Sequence, residues 1–258
     1  MILIENAFRK LVGKNRTVVV QSEIIKLQEA ELALLIGPNG FGKTTLLRVV
    51  AGSVALHGGK ITADRPMLCI TDIENQLDPK LTPLENFQYL SAYFDHEAPS
   101  ATESSDALER CGVSPLTTTV AGKFSKGQKA RVFLAYILAT RFKSILLDEP
   151  NNGLDYEGEQ LVQAVMEEKR KAGASIILAT HSPEKLLERA TSLIVKNAQD
   201  KFEQIDPKQA RFTRSVIVRL RNGTMHHVSL AGLKDFLIAH EHELLDIISE
   251  RTVAIGEA

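Results

Sequence analysis

An α/β fold with an open, largely parallel sheet is predicted by two features of this 258-residue chain. Three short apolar runs, ELALLIG from Glu31, SILLDEP from Ser144 and ASIILAT from Ala174, have the length and content of strands buried on both faces. Each run is followed closely by a segment with the start signals of a helix. In sheets of this kind ligands collect beyond the carboxyl ends of the strands, so the junctions after the runs are where chemistry is expected.

The first junction carries the most specific pattern. Gly37 to Thr44 read GPNGFGKT, and the segment KTTLLRVVAG forms a helix that opens inside this loop and is stopped by Gly52. Glycines at 37, 40 and 42 let the backbone approach an anion closely, so that successive N–H groups turn inward toward phosphate oxygens. The new helix aims its unpaired N–H groups and positive dipole end at the same place. Lys43 supplies a full charge for β and γ phosphates, and Thr44 offers a hydroxyl to a Mg²⁺ ion, which takes hard oxygen ligands. Thr45 is the next N–H donor, and Pro38, Asn39 and Phe41 complete the binding segment. A Gly-rich turn before a helix is the plain alternative, and the strand on one side and helix on the other weigh against it.

SILLDEP ends in two carboxylates and a Pro that cannot extend a hydrogen-bonded ladder. Asp148 is expected to hold Mg²⁺ through water, and Glu149, one residue further out, to orient or deprotonate the water that attacks a γ phosphate. Taken alone, the pair also reads as two acids at a solvated strand end. ASIILAT ends at His181, followed by Ser182, Pro183 and Glu184, a cap, first-turn Pro and first-turn acid. His181 is either a structural histidine or a sensor that donates to the γ phosphate.

In FSKGQKARVFLAYILAT, Ser125 and Gln128 form a capping box ahead of an apolar-rich helix. Gly127 lies in the first turn, where it weakens a helix, and an anion approaching that N-terminus accounts for it. NNGLD, ending at Asp155, is by itself a turn before a helix from Tyr156 to Ala172 that Gly173 closes.

Taken in order, GPNGFGKTT, FSKGQ, ILLDEP, NNGLD and ATH resemble the Walker A, signature, Walker B, D-loop and switch histidine of an ABC-type ATPase, over roughly residues 1–200. The resemblance implies a P-loop NTPase (RecA-like) core with an N-terminal antiparallel β subdomain and a helical subdomain inserted at about 83–142. It implies two subunits closing head to tail on ATP, so that Ser125, Gly127 and Gln128 of one chain, with Asp155, complete the site that the other chain's Gly37 to Thr45 begin. The function it implies is ATP hydrolysis, catalysed by Glu149 and His181 with Mg²⁺, that powers a separate membrane permease.

Short spacing and the segment LTPLEN from Leu81 look most like haem-exporter and drug-exporter ATPases, which favours export over import. The rivals are an ABC ATPase that moves no solute, serving DNA repair, translation or iron-sulfur assembly, and a module that binds ATP without hydrolysing it. The absence of a long heptad-bearing insertion and the single cassette count against the first, and Glu149 against the second. Three positions depart from the family pattern. Val12, ahead of Gly13, stands where an adenine-stacking aromatic is usual; Lys126 replaces a signature glycine. Ile73 or Glu74 falls where a Mg²⁺-touching Gln is expected, leaving Gln76 as the nearest candidate.

Composition fits this reading. There are 31 basic and 32 acidic residues, so no overall field favours nucleic acid, and Cys69 and Cys111 have no metal or disulfide spacing and suit a reducing compartment. No apolar run approaches a bilayer span, so work on a membrane would need another polypeptide to supply the spanning part; the resemblance implies a cytoplasmic protein, peripheral on the inner face of the plasma membrane.

Thr82, Pro83 and Glu85 open a second capped helix with Leu84, Phe87, Leu90 and Phe94 on one stripe, and DHEAPSATESSDA from Asp95 reads as a polar loop. The ATPase domain is expected to span 1–205. Beyond it, RSVIVRLRNGTMHHVSL reads as a hairpin about Arg221, Asn222 and Gly223, and LKDFLIAHEHELLDII as an amphipathic helix, together a ββα appendage at 206–258. His226, His227, His240 and His242 read as solvated histidines with no metal spacing.

Overall fold

Leu32–Ile36 is a strand in which all five side chains are buried, and a strand with nothing polar to expose belongs in the middle of a covered sheet. The computed structural model describes residues 1–12, 17–37, 40–72, 76–114, 118–152, 154–181, 183, 186–197, 199–220, 225–229, 233–240 and 244–255. In chain order the elements are β1 (Ile2–Val12), β2 (Thr17–Gln21), β3 (Ile25–Leu27), β4 (Leu32–Ile36), α1 (Lys43–Val50), β5 (Gly58–Ala63) and β6 (Met67–Ile70). Next come three helices, α2 (Pro83–Tyr93), α3 (Ala101–Arg110) and α4 (Lys126–Ala139), then β7 (Ser144–Asp148), α5 (Tyr156–Lys171), β8 (Ser175–Thr180), β9 (Ser192–Lys196) and β10 (Phe202–Ile205). The chain continues through β11 (Ala210–Leu220), β12 (Met225–Ser229), α6 (Leu233–Ala239) and β13 (Leu244–Ile255).

The central sheet runs β10-β9-β4-β8-β7-β6, parallel from β9 to β6, with β10 antiparallel at one edge. Alternation along its strands sorts side chains to two cores. Leu32, Leu34 and Ile36, with Ile176, Leu178, Ile145 and Leu147, pack toward residues of α2, α3, α4 and α5. Ala33, Leu35, Leu146, Ile177 and Ala179 turn the other way, toward Leu46, Leu47 and Val50 of α1 and Ile2, Ile4, Val20 and Ile25 of the N-terminal strands. Those strands form the antiparallel N-terminal sheet that the family resemblance implies, β2-β1-β3 with β5 also on β1.

The helices begin where their caps place them. Thr82 and Glu85 form the reciprocal box at the start of α2, whose Phe87 and Leu90 are buried while Leu84 and Phe94 pack at the margin of the same core. Ser125 and Gln128 do the same for α4. Two segments depart from the sequence reading. The stretch expected to be a polar loop after Asp95 contains α3, capped by a third box, Ser100 with Glu103, and anchored by buried Ala107 and Leu108. A helix of low hydrophobicity is held there by its cap and by that narrow apolar face.

The C-terminal segment is ββαβ rather than ββα: α6 ends at Ala239, and Leu244–Ile255 forms β13, paired along β11 in a sheet of order β12-β11-β13. Ile247, Ile248, Thr252, Val253 and Ile255 are β-branched, and the long antiparallel partner outweighs the helical spacing of the preceding residues. The proposed hairpin turn at Arg221 to Gly223 and His242 lie outside the described residues. His226 and His227 are adjacent on β12, and His240 is half-buried and stacked on Phe236 at 4.2 Å, not freely solvated as expected.

Lys169 of α5 is 8% exposed and donates to the carbonyls of Leu138 and Thr140, at 2.8 and 2.6 Å, closing the end of α4. Burial pulls its pKa down to about 8 from 10.5. The unfolded chain therefore keeps this proton over a range in which the folded chain has released it, and folding stability from this group rises between pH 8 and 10.5. Denaturant melts should show wild type gaining on Lys169→Met across that window; a constant difference contradicts the assignment.

Candidate functional site

The parallel register brings three strand ends level. Ile36 of β4 pairs with Thr180 of β8, and Asp148 of β7 pairs with Ala179, so Gly37, His181 and Glu149 leave the sheet side by side. β4 gives way to the Gly-rich loop and α1. Gly42 is the N-cap of α1 with φ 95°, and Gly40 has φ 83°, a conformation that other residues adopt only with strain. At Gly37 the reason is space: a Cβ there would lie 2.3 Å from the Phe41 ring, which folds back over this residue. Pro38 and Asn39 lie outside the described residues. Thr45 is half-buried in the first turn of α1.

Lys43 is buried, with 6% exposure; its Nζ donates to the Gly37 carbonyl at 2.6 Å and lies 3.5 Å from Oε1 of Glu149. The Thr44 hydroxyl donates to Oδ2 of Asp148. Burial pushes the Asp148 carboxyl above the ordinary range and the Glu149 charge adds to this, while the Thr44 hydrogen bond, Lys43 and Arg48 pull it back. Glu149 has φ 49° in a non-glycine residue, and its N–H donates to the Ala179 carbonyl at 2.9 Å, so the backbone is held in a strained turn that aims the side chain along the sheet edge. Nδ1 of His181 is 2.9 Å from Oε1 of Glu149 but off the line of a hydrogen bond, and Oε1 is buried without a hydrogen-bond donor. A buried carboxylate oxygen in that condition is suited to a water or ligand proton.

The structure thus gathers Lys43, Thr44, Asp148, Glu149 and His181, drawn from three separate stretches of sequence, around the loop of Gly37, Gly40, Phe41 and Gly42. It places the remaining candidates elsewhere on the chain. Ser125 and Gln128 are exposed at the start of α4 and cap each other, with N···O distances of 2.9 and 3.2 Å. Gly127 has open space where a Cβ would stand, so nothing within this chain requires a glycine there. Asp155 is the N-cap of α5, accepting from Gly158 N at 2.8 Å. Gln76 is half-buried in the turn after β6; Ile73 and Glu74 lie outside the described residues, as does Gly13, while β1 ends at Val12. Beyond His181, Ser182 and Glu184 lie outside the described residues, and the chain makes a 3-10 turn at Leu187–Arg189 before β9.

Three features of the site go beyond the sequence reading. Arg131 of α4 reaches Asp155 and Glu157 at 3.9 and 3.6 Å, tying the signature helix to the start of α5. Asn151, next to the carboxylate pair, buries a side-chain oxygen without a hydrogen-bond partner. Lys196, at the end of β9, stands over the Phe41 ring. Arg131 and Lys196 belong to no short motif and become visible only when distant segments are brought together; Asn151 opens the NNGLD motif, but nothing in that motif's spacing singles out its side chain.

A phosphate-type loop between strand and helix, with acids and a histidine on the adjoining strand ends, defines a P-loop nucleotide-binding α/β protein. The sequence profile of the ABC transporter family matches residues 22–152, and the chain belongs to that family. Members hydrolyse ATP in step with transport, so the chain is the ATPase subunit of a transport system. Among its relatives, the zinc import ATP-binding protein ZnuC of Cereibacter sphaeroides is 34% identical over 66% of this chain and 69% of its own length. The cytochrome c biogenesis ATP-binding export protein CcmA of Nitrobacter winogradskyi is 33% identical over 62% and 82%, and the SkfA peptide export ATP-binding protein SkfE of Bacillus subtilis 30% over 74% and 86%. A dimeric ATP-binding cassette solved in a post-hydrolysis state with ADP and Pi shares the fold, with a TM-score of 0.69 and 18% identity over 80% of this chain and 99% of that one.

Proposed function

We propose that two copies of this subunit, or one copy and a homologous partner, close head to tail on ATP and so drive a separately encoded membrane permease, in the direction of export. The observation that carries the reading is the single edge at which Lys43, Thr44, Asp148, Glu149 and His181 converge on a Gly-rich loop. The loop amides, the α1 N-terminus and Lys43 bind the triphosphate. Glu149, with a buried oxygen free to accept, orients and deprotonates the attacking water, and His181 beside it steadies the γ phosphate.

The donor set fits Mg²⁺: Thr44 and Asp148 already hold two hard oxygens together, and a carboxyl whose charge is penalised by burial gains from a nearby cation. Among the described residues no group of three or more His, Cys, Asp or Glu could hold a metal alone, which suits an ion that is shared with phosphates and water. Such an ion supplies neutralisation of phosphate charge, and Gln76 is assigned as a further contact.

Gly127 supports the head-to-tail arrangement, because its bare face at the start of α4 is open to a phosphate held by another subunit. Residues 1–205 form the ATPase unit, with the helical subdomain at 83–142, and 206–258 form the appendage. Among the described residues no helix is long and apolar enough to cross a membrane. In this reading the permease supplies the span and the subunit sits against its cytoplasmic face. Export is supported by the likeness of the Leu81 to Asn86 segment to exporter ATPases and by the export names of CcmA and SkfE.

The test is affinity purification of the tagged chain from membranes solubilised in mild detergent. The expected result is an integral membrane protein in fixed ratio with the chain, which after reconstitution in vesicles stimulates ATP hydrolysis. Recovery of the chain with nucleic acid or a soluble assembly factor instead overturns the transport reading.

A further inference from the structure

Lys196 is an unexpected residue in its place. It ends a strand whose four preceding residues are all buried, and its own side chain is 7% exposed. Register explains what it meets. Ile194 of β9 pairs with Leu35 of β4, so the end of β9 comes level with Gly37, where β4 turns into the phosphate loop. On its other side Lys196 pairs with Phe202 of β10. The ammonium lies 4.9 Å from the centre of the Phe41 ring and 5.2 Å from that of Phe202, with Asp200 at 2.7 Å as its counter-ion. Phe41 in turn covers Gly37, its ring occupying the place of a Cβ. Phe202, Lys196, Phe41 and Gly37 thus form one continuous stack from an edge strand to the first turn of the loop.

A buried cation is costly unless its surroundings compensate it, and two aromatic faces with a carboxylate do so here. The same interaction fixes the Phe41 ring, a side chain that sits inside the loop between Gly40 and Gly42 and has no strand or helix of its own to hold it. We propose that Lys196 is a positioning residue of the phosphate loop: by holding Phe41 over Gly37, it keeps the loop in the shape that presents its amides to the triphosphate. It acts through Phe41 and contacts no reacting atom. The inference rests on the reading that this loop binds ATP, and goes beyond it by assigning the loop's affinity to a residue outside every nucleotide motif.

The test measures ATP affinity and steady-state kinetics of the full chain. Lys196→Met, which keeps the stem and removes the charge, should raise the Kd and KM for ATP roughly tenfold to thirtyfold, the scale of a desolvated cation–π contact. Turnover at saturating ATP should stay within about twofold. Lys196→Arg, which keeps a cation over the rings, should restore most of the affinity. Phe41→Leu alone should weaken ATP to a similar degree, and the double variant Lys196→Met with Phe41→Leu should be no weaker than either single one. Full additivity, or wild-type affinity in Lys196→Met, overturns the proposal. Should Lys196→Met fail to fold, Lys196→Arg and Phe41→Leu still decide it: loss of affinity in Lys196→Arg, or wild-type affinity in Phe41→Leu, refutes it. If wild type itself binds no ATP, the site reading fails and this inference falls with it, whereas ATP binding in wild type with wild-type affinity in Lys196→Met overturns this inference alone.

Discussion

Glu149→Gln is expected to abolish ATP turnover while leaving ATP bound. The substitution keeps the shape of the side chain and the same φ of 49°, so the strained turn after β7 and its hydrogen bond to Ala179 remain. What disappears is the basic oxygen that the fold buries without a donor beside His181 and Lys43. General-base catalysis contributes about 10²- to 10⁴-fold, and a loss on that scale in turnover is predicted, with ATP affinity changed by less than about threefold. Because nucleotide is no longer consumed, the closed pair of subunits should accumulate. The checks are phosphate release at saturating ATP and the mass of the complex on a sizing column with and without ATP. Hydrolysis at the wild-type rate removes Glu149 from its role; loss of binding along with turnover shows that it holds the nucleotide instead.

Lys43→Ala should act on the other half of the cycle. The ammonium is buried at the start of α1, between the Gly37 carbonyl and the Glu149 carboxylate. A hydrogen bond to a charged group contributes about 1.5 to 3 kcal/mol, so ATP affinity is expected to fall roughly tenfold to two-hundredfold. ADP, which offers less negative charge near this position, should be affected less. Removing the cation also leaves the Gly37 carbonyl without its donor, and some loss of stability should result. Lys43→Met, which retains the stem and its packing, separates the two: if it matches Lys43→Ala in affinity, the effect is that of charge. Titration calorimetry or a fluorescent nucleotide reads the affinities directly, and unchanged ATP binding in both variants rules out the cradle.

Three strands of the central sheet, β4, β7 and β8, are legible in the sequence because they are buried on both faces, which leaves an uninterrupted apolar signature, and helix ends are legible because Gly52, Gly173, Ser125 and Thr82 mark them through local chemistry. The convergence of Asp148, Glu149 and His181 on the loop can be anticipated for the same reason, since parallel strands bring their carboxyl ends to one edge. α3 is hidden although Ser100 and Glu103 spell a capping box; its apolar face is only Ala107 and Leu108, too thin to stand out among polar residues. β13 reads as helix because Leu233 to Ala239 does form one and the spacing continues, while the competing signal lies in pairing with β11 over twenty residues away. The stack of Lys196, Phe41 and Phe202 has no trace in local spacing, since it depends on the register of three strands and a loop.

The most direct measurement is a crystal structure of the Glu149→Gln chain grown with ATP and Mg²⁺. The triphosphate should lie in the turn from Gly37 to Thr45, with Nζ of Lys43 drawn from the Gly37 carbonyl onto a phosphate oxygen and the metal ion beside Thr44 and Asp148. Ser125 and Gly127 of a second copy should face the γ phosphate. Nucleotide bound at any other place, or loop amides turned away from the phosphates it carries, would contradict the assignment of this edge as the site where ATP is held and cleaved.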